Sequence, residues 1–145
     1  MREIKFRAFI PKLGHEKEYP NVGSMYYWEL NFQSAGASEG IKNNTVMQFT
    51  GLHDKKGKEI YEGDIVKGTW SDYSEKERPD LWTTMVIKFG EGEVDASDYE
   101  EYSIDIIGFY AEYLSGCDTR PSSILHYKKL EIIGNIHENK DLLIK

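Results

Sequence analysis

The sequence predicts a mainly β protein with little helix, folded as a single domain over residues 1–145. A chain of this length is long enough for one domain with a real core, whereas two independent domains would each be marginal. Ten tyrosines and three tryptophans favour strands. Apolar and other residues alternate from Ile4 to Ile10, and two tight turns follow closely in the middle of the chain. Together these features predict short strands joined by turns.

The stretch from Gly51 to Lys67 gives the clearest local prediction. His53 to Lys58 is a polar turn containing Gly57, and Glu62-Gly63-Asp64 is a second turn before a new strand. Each glycine lies in a tight reversal, so we predict a positive φ at both. The predicted structural turn motif consists of Gly51, Asp54, Gly57, Gly63 and Asp64.

Asp54 and Asp64 also allow a catalytic interpretation, as a carboxylate pair for acid–base chemistry. Both occupy turn positions where aspartate is favoured because its side chain hydrogen-bonds the local backbone. We therefore favour a structural role for both residues.

Three blocks of sequence resemble the YopX family of small proteins encoded by phages and prophages. They are REIKFRAF (2–9), QFTGLHDKKGKEIYEGDIVK (48–67) and EIIGNIHEN (131–139), in the order and spacing of the family. The resemblance implies a compact, mainly β protein with an SH3-like β-barrel element and additional strands. It implies no particular biochemical activity and brings no catalytic residues.

The first half of the chain predicts three strands separated by two loops. Pro11 ends the first strand, and the following segment to Gly23 has no periodicity. The segment 31–45 is polar and rich in small residues, which is typical of a surface loop. The predicted strands are Ile4–Ile10, Met25–Leu30 and Val46–Thr50.

The second half predicts further strands around a charged excursion at 71–79. The strands expected here are 65–66 with an extension to Trp70, Trp82–Phe89, Ser103–Phe109 and Leu130–Ile136. Residues 111–114 fit either a strand or a short helix. We expect Asn139 to cap one short terminal turn, the only helical element of the chain.

Gly90 to Tyr102 carries six carboxylates within eleven residues, and we expect it to form a solvated loop. A calcium loop needs a glycine after its first ligands, and none follows Asp98. The alternative is an acidic contact surface for a basic protein partner. Its residues would be Asp95, Asp98, Glu100 and Glu101.

No pattern of reactive residues predicts an enzyme. Cys117 is the only cysteine, which excludes an internal disulfide and a cysteine-based zinc site within one chain. The four histidines include no pair at helical i, i+4 spacing, and phosphate-binding and nucleophile motifs are absent. We expect no catalytic residue, no metal and no cofactor.

The net charge of −7 and a pI near 5.1 disfavour nucleic acid as a partner. The acidic excess lies entirely in the second half, because residues 1–72 hold ten basic and ten acidic residues. No apolar run is long enough to span a bilayer, and the N-terminus lacks the apolar block of a signal peptide. We expect a protein of the bacterial host's cytoplasm, without a membrane partner.

Two functions are consistent with these features. The favoured one is a non-catalytic binding or interaction module with a protein partner from host or phage, by analogy with SH3-like scaffolds. The alternative is a structural phage component that assembles as a homo-oligomer through exposed strand edges and through Tyr26, Tyr27 and Trp28.

Overall fold

The computed structural model of the chain describes residues 4–10, 24–29, 45–95, 103–116 and 127–143. The strands are β1 (Lys5–Ile10), β2 (Ser24–Glu29), β3 (Val46–His53), β4 (Glu59–Tyr61), β5 (Asp64–Thr69), β6 (Thr83–Asp95), β7 (Ser103–Gly116) and β8 (Lys129–Asn135). Within these described ranges, two short 3-10 turns lie at Pro79–Leu81 and Lys140–Leu143. The mainly β prediction is confirmed, whereas the turn at Pro79 shows that helical content is not confined to the C-terminus.

The strands form two four-stranded antiparallel sheets with the orders β2-β1-β3-β4 and β7-β6-β5-β8. Neither sheet closes on itself within the described ranges, so the expected SH3-like barrel is not confirmed. The chain divides into two compact units, Met1–Gly51 and Leu52–Lys145, and each is described by itself. The single domain over the whole chain stays a prediction.

In the first unit, β1 lies between β2 and β3. Phe6 is opposite Trp28 on one side and Gln48 on the other. Ala8 is fully buried, with Phe6 and Val46 packed against it. Arg7 is also buried, and its Nη2 lies 3.8 Å from the Sδ atom of Met47. The strand is therefore covered on both faces at this point, and not on one face as its alternating pattern predicts.

In the second unit, β5 is an interior strand between β6 and β8. Ile65, Val66 and Thr69 on this strand are all fully buried, as expected for a strand between two neighbours. The main core cluster comprises Ile60, Val66, Met85, Ile87, Ala111, Tyr127 and Leu130. Gly68 lets Leu130 pack close to the β5 backbone, because a Cβ atom at residue 68 would lie 2.7 Å from a methyl group of Leu130.

Strands β6 and β7 are much longer than the sequence predicts and form one antiparallel ladder. The predicted loop from Gly90 is wrong over its first residues, since Gly90 to Asp95 continue β6 opposite 103–108. The open alternative at 111–114 is resolved as strand. In contrast, β5 ends at Thr69 and does not extend to Trp70.

The predicted C-terminal turn forms after β8, but Asn139 acts differently from a simple cap. Its Oδ1 accepts a hydrogen bond from the backbone N–H of Asn135 at 3.1 Å. Its main-chain carbonyl accepts from Leu142 at 3.0 Å. The side chain thus reaches back to the end of β8.

Candidate functional site

The first turn of the predicted motif is held by the carboxylate of Asp54, which is only 8% exposed. Its Oδ1 accepts hydrogen bonds from the backbone N–H groups of Lys56 and Lys58, both at 2.9 Å. Its Oδ2 accepts from the N–H of Ile132 on β8 at 3.2 Å. Burial alone would raise the pKa of Asp54, but these three donors together hold it below its ordinary value.

Two further contacts fasten the same turn to β8. The N–H of Lys55 donates to the carbonyl of Leu130 at 2.8 Å. Glu131 accepts the ammonium groups of Lys55 at 2.7 Å and Lys56 at 3.0 Å. Hydrogen bonds from these two lysines, Lys55 first, lower the pKa of the Glu131 carboxyl. The turn is therefore a fixed part of the second unit.

The second turn is fixed from both sides. Gly63 has a φ of +82°, donates to the carbonyl of Ile87 at 2.7 Å and accepts from Ile136 at 2.9 Å. Asp64 is almost fully buried, and its Oδ2 accepts from the N–H of Tyr61 at 2.8 Å. The positive φ explains why a glycine occupies this position.

The other two glycines of the motif also have a positive φ. Gly51 and Gly57 have φ values of +86° and +83°, so the predicted positive φ is confirmed at both Gly57 and Gly63. The described contacts of the Asp54 and Asp64 carboxylates are with main-chain N–H donors. These contacts shape the backbone of both turns. The structural role of the two aspartates stays a prediction.

A groove of about 320 Å³ opens beside the first turn, and we call it the lysine groove. Its apolar part comprises Leu52 with the buried residues Tyr127 and Leu130. Its polar residues are His53, Asp54, Lys55, Lys128 and Lys129. The groove is therefore lined by both apolar residues and lysines.

Next to the groove lies the segment Thr69–Tyr73, which we call the aromatic loop. It carries Trp70 and Tyr73, which are 47% and 52% exposed. The loop is ordered by side-chain hydrogen bonds, since Ser71 N–H donates to Thr69 Oγ1 and Tyr73 N–H donates to Ser71 Oγ. The guanidinium of Arg78 lies 5.9 Å from the centre of the Tyr73 ring.

Lysines connect the aromatic loop to the groove. Lys129 donates from Nζ to the carbonyl of Asp72 at 2.6 Å. Lys128 Nζ lies 3.3 Å from Asp72 Oδ1, and its backbone N–H donates to Thr69 at 3.0 Å. Groove and loop thus form one continuous candidate surface on the second unit.

Two other aromatic features lie elsewhere on this unit. Phe89 on β6 and Phe109 on β7 are direct cross-strand partners with ring centres 4.8 Å apart, and Phe89 is 48% exposed. The ring of Trp82 is buried beneath the ammonium group of Lys55, 5.5 Å from its centre. Within the described residues the Trp82 indole N–H has no acceptor.

The acidic residues of the sequence prediction are described only in part. Asp95 is the last residue of β6, opposite Ser103, and the loop predicted for it is wrong. Asp98, Glu100 and Glu101 lie outside the described residues. The acidic contact surface therefore stays a prediction.

Other reactive residues do not assemble in the part of the chain that the structure describes. No group of three or more His, Cys, Asp or Glu side chains is placed to hold a metal ion there. His53 is exposed at the end of β3, while His15, His126 and Cys117 lie outside the described residues. The described segments also contain no helix that is both long and apolar enough to cross a membrane.

Sequence reasoning missed the lysine groove because its two halves are far apart in the chain. Residues 52–55 and 127–130 meet where the first turn contacts β8 and where Leu52 packs against the core cluster. The available local signal was the Lys128-Lys129 pair just before a predicted strand. Neither half indicates the other by periodicity or spacing.

A family model described as YopX protein matches residues 5–144 of the chain. The chain belongs to the YopX family. The resemblance seen in three short blocks therefore extends over nearly the whole of this YopX-family chain. Among solved structures, protein EF1440 from Enterococcus faecalis is 23% identical over 97% of each chain, with a TM-score of 0.40. No match was found among curated proteins.

Proposed function

We propose that this YopX-family chain is a non-catalytic binding module, encoded by a phage or prophage, that contacts a protein partner in the host cytoplasm. The observation that supports the proposal is the aromatic loop. Trp70 and Tyr73 are half-exposed on a loop whose backbone is already ordered by Thr69 and Ser71. Tryptophan and tyrosine are the side chains most enriched at the energetic centres of protein interfaces.

The order of the loop matters for affinity. Binding through a loose loop costs free energy, because each side chain that becomes fixed loses conformational entropy. In this loop, the Tyr73 ring lies beside the guanidinium of Arg78. That guanidinium is itself held by two hydrogen bonds to Asp80, at 2.9 and 2.7 Å. The loop therefore presents aromatic area with part of this cost removed before binding.

The test is affinity capture from a lysate of the bacterium that carries the gene. We expect wild-type protein to retain a specific partner, and the Trp70→Ala/Tyr73→Ala variant to lose it. Phe89→Ala is the matched control, because Phe89 is equally exposed but lies on β6. Equal capture by the loop variant and wild type, or no specific partner at all, would overturn the proposal.

Nucleic acid is not favoured as the partner of the same surface. The chain carries a net charge of −7, and carboxylates of Asp72, Glu75, Glu77 and Asp80 lie within or just after the aromatic loop. A gel shift with single-stranded DNA that weakens strongly with salt would contradict this choice.

Self-assembly as a homo-oligomeric phage component is the second candidate. It is favoured by β7, a strand of 14 residues at the end of the second sheet. No other described strand pairs with its outer side, and a long open edge is a template for pairing with another chain. Sedimentation tests this function: a mass that rises with concentration supports it, and a monomer mass at all concentrations rejects it.

A further inference from the structure

The lysine groove contains more positive than negative side-chain charge. Its lining includes three lysines, Lys55, Lys128 and Lys129, and one acidic residue, Asp54. Both oxygens of the Asp54 carboxylate accept hydrogen bonds from main-chain N–H groups. This excess is unusual in its setting, because the chain as a whole carries a net charge of −7.

The described partners of these lysines neutralise them only in part. Lys55 shares the single carboxylate of Glu131 with Lys56. Lys129 contacts a main-chain carbonyl, and Lys128 pairs with Asp72, whose side chain is 90% exposed. The Lys128–Asp72 pair is exposed on both sides, and an exposed ion pair contributes little to stability.

We propose that the lysine groove binds an acidic segment of a protein partner. Carboxylates of the segment meet the ammonium groups of the groove, and a neighbouring apolar side chain packs on Leu52, Tyr127 and Leu130. The inference rests on the proposed function and adds the chemistry of the partner. Charge complementarity selects the partner, and the apolar lining residues supply contact area.

A peptide segment fits this surface better than a small ligand or a nucleic acid. The groove has about 320 Å³, near the lower end of ligand pockets, and continues through Lys128 and Lys129 onto the aromatic loop. The phosphate backbone of a nucleic acid would be repelled by Asp72 and Glu75, in and just after the aromatic loop. A peptide segment with separated carboxylates avoids this repulsion.

The probe is a fluorescein-labelled peptide of alternating glutamate and leucine, with a glutamine–leucine peptide as its neutral counterpart. Fluorescence anisotropy measures the binding of each to the full chain at low and high salt. The test variant is Lys128→Glu, with Lys128→Arg as the conservative change. Lys88→Glu is the matched control, because Lys88 is also an exposed lysine in a weak ion pair, at 3.6 Å from Glu112.

We expect the glutamate peptide to bind more tightly than the glutamine peptide and to weaken as salt rises. Lys128→Glu should weaken binding by about fivefold, the scale of an exposed ion pair, while Lys128→Arg and Lys88→Glu leave it unchanged.

Equal binding of the two peptides, or equal effects of Lys128→Glu and Lys88→Glu, would overturn the inference. Displacement of the peptide by free glutamate at equal concentration would assign the groove to small anions, and stronger binding of oligodeoxythymidine would assign it to nucleic acid. Either result overturns the inference. Capture that still depends on Trp70 and Tyr73 would leave the proposed function standing in each case.

Discussion

Asp54 joins two parts of the chain that are 78 residues apart, because one carboxylate receives N–H groups from its own turn and from Ile132. We predict that Asp54→Asn destabilises the protein by about 1–3 kcal/mol. An asparagine has one acceptor oxygen, so part of this donor set loses its partner. Urea unfolding at neutral pH measures the loss.

Asp72→Asn is the control for this prediction, since the Asp72 side chain is 90% exposed. It should change the free energy of unfolding by no more than about 0.5 kcal/mol. If Asp54→Asn were as mild as Asp72→Asn, the carboxylate would not be what holds the turn on β8.

The glycines of the two turns give a second prediction at this scale. Gly63→Val should destabilise by about 1 kcal/mol or more, because Gly63 has a positive φ and both its N–H and its carbonyl are bonded. In Gly57→Ala the added Cβ atom has no neighbour within 4 Å, so the variant loses stability only because alanine disfavours a positive φ. Thermal unfolding of the two variants compares these costs.

Asparagine tolerates positive φ better than alanine does, which provides the control at Gly57. Gly57→Asn should therefore be more stable than Gly57→Ala. An equal melting temperature for Gly63→Val and wild type would contradict the prediction.

The residue scale is also where the sequence was most informative. Turn chemistry is local, so the glycine conformations follow from a few neighbouring residues. The partner of Asp54 on β8 does not follow from them, because nothing in the turn specifies which distant N–H it will meet.

At the scale of elements, the β6–β7 ladder depends on Gly116. A Cβ atom there would lie 2.4 Å from the carbonyl oxygen of Trp82 and 2.6 Å from the Cα of Thr83, at a φ of +123°. We predict that Gly116→Ala destabilises by about 2 kcal/mol or more, because neighbouring backbone must move. Chemical denaturation measures the change.

Gly108→Ala is the matched comparison in the same strand. Gly108 also has a positive φ, of +152°, but a Cβ atom there meets nothing within 4 Å. Both variants place an alanine at a positive φ, but only Gly116→Ala brings its Cβ atom against the backbone of Trp82 and Thr83. Gly116→Ala should therefore be the less stable variant. The reverse order would show that close approach to Trp82 is unimportant.

The first residues of the acidic segment form a strand and not the predicted loop, for a physical reason. Glu91, Glu93 and Asp95 alternate with Gly92 and Val94, and this period of two is typical of a strand. High charge and two glycines favoured a loop when the segment was considered alone. Pairing of residues 90–95 with 103–108, as part of a ladder of thirteen register positions, decides the outcome, and such long-range pairing is not visible in local propensity.

At the scale of the whole molecule, composition and alternation were sufficient for the mainly β class but not for the arrangement of strands. The place of β5 between β6 and β8 brings together segments about 65 residues apart, and the first turn packs on β8 in the same way. The lysine groove arises from this topology. It therefore could not be predicted from motifs or spacing.

The last prediction concerns stability as a function of pH. Asp54 and Glu131 both have pKa values below their ordinary values of 3.8 and 4.5. A group with a depressed folded pKa stabilises the fold fully above its ordinary pKa, and this stabilisation is lost as pH falls through the folded pKa. Self-repulsion from the net charge of −7 acts oppositely, since it disappears as pH approaches the pI near 5.1.

Stability should therefore hold or rise slightly from neutral pH to about pH 5 and fall below about pH 4, where the loss of carboxylate contacts dominates. Urea unfolding across this range measures the profile. Asp54→Asn and Glu131→Gln should each flatten its acidic side, because neither replacement takes up a proton. Asp72→Asn, on an exposed side chain, should leave the slope unchanged. A wild-type slope in both Asp54→Asn and Glu131→Gln would place the acid sensitivity outside the contacts between the first turn and β8.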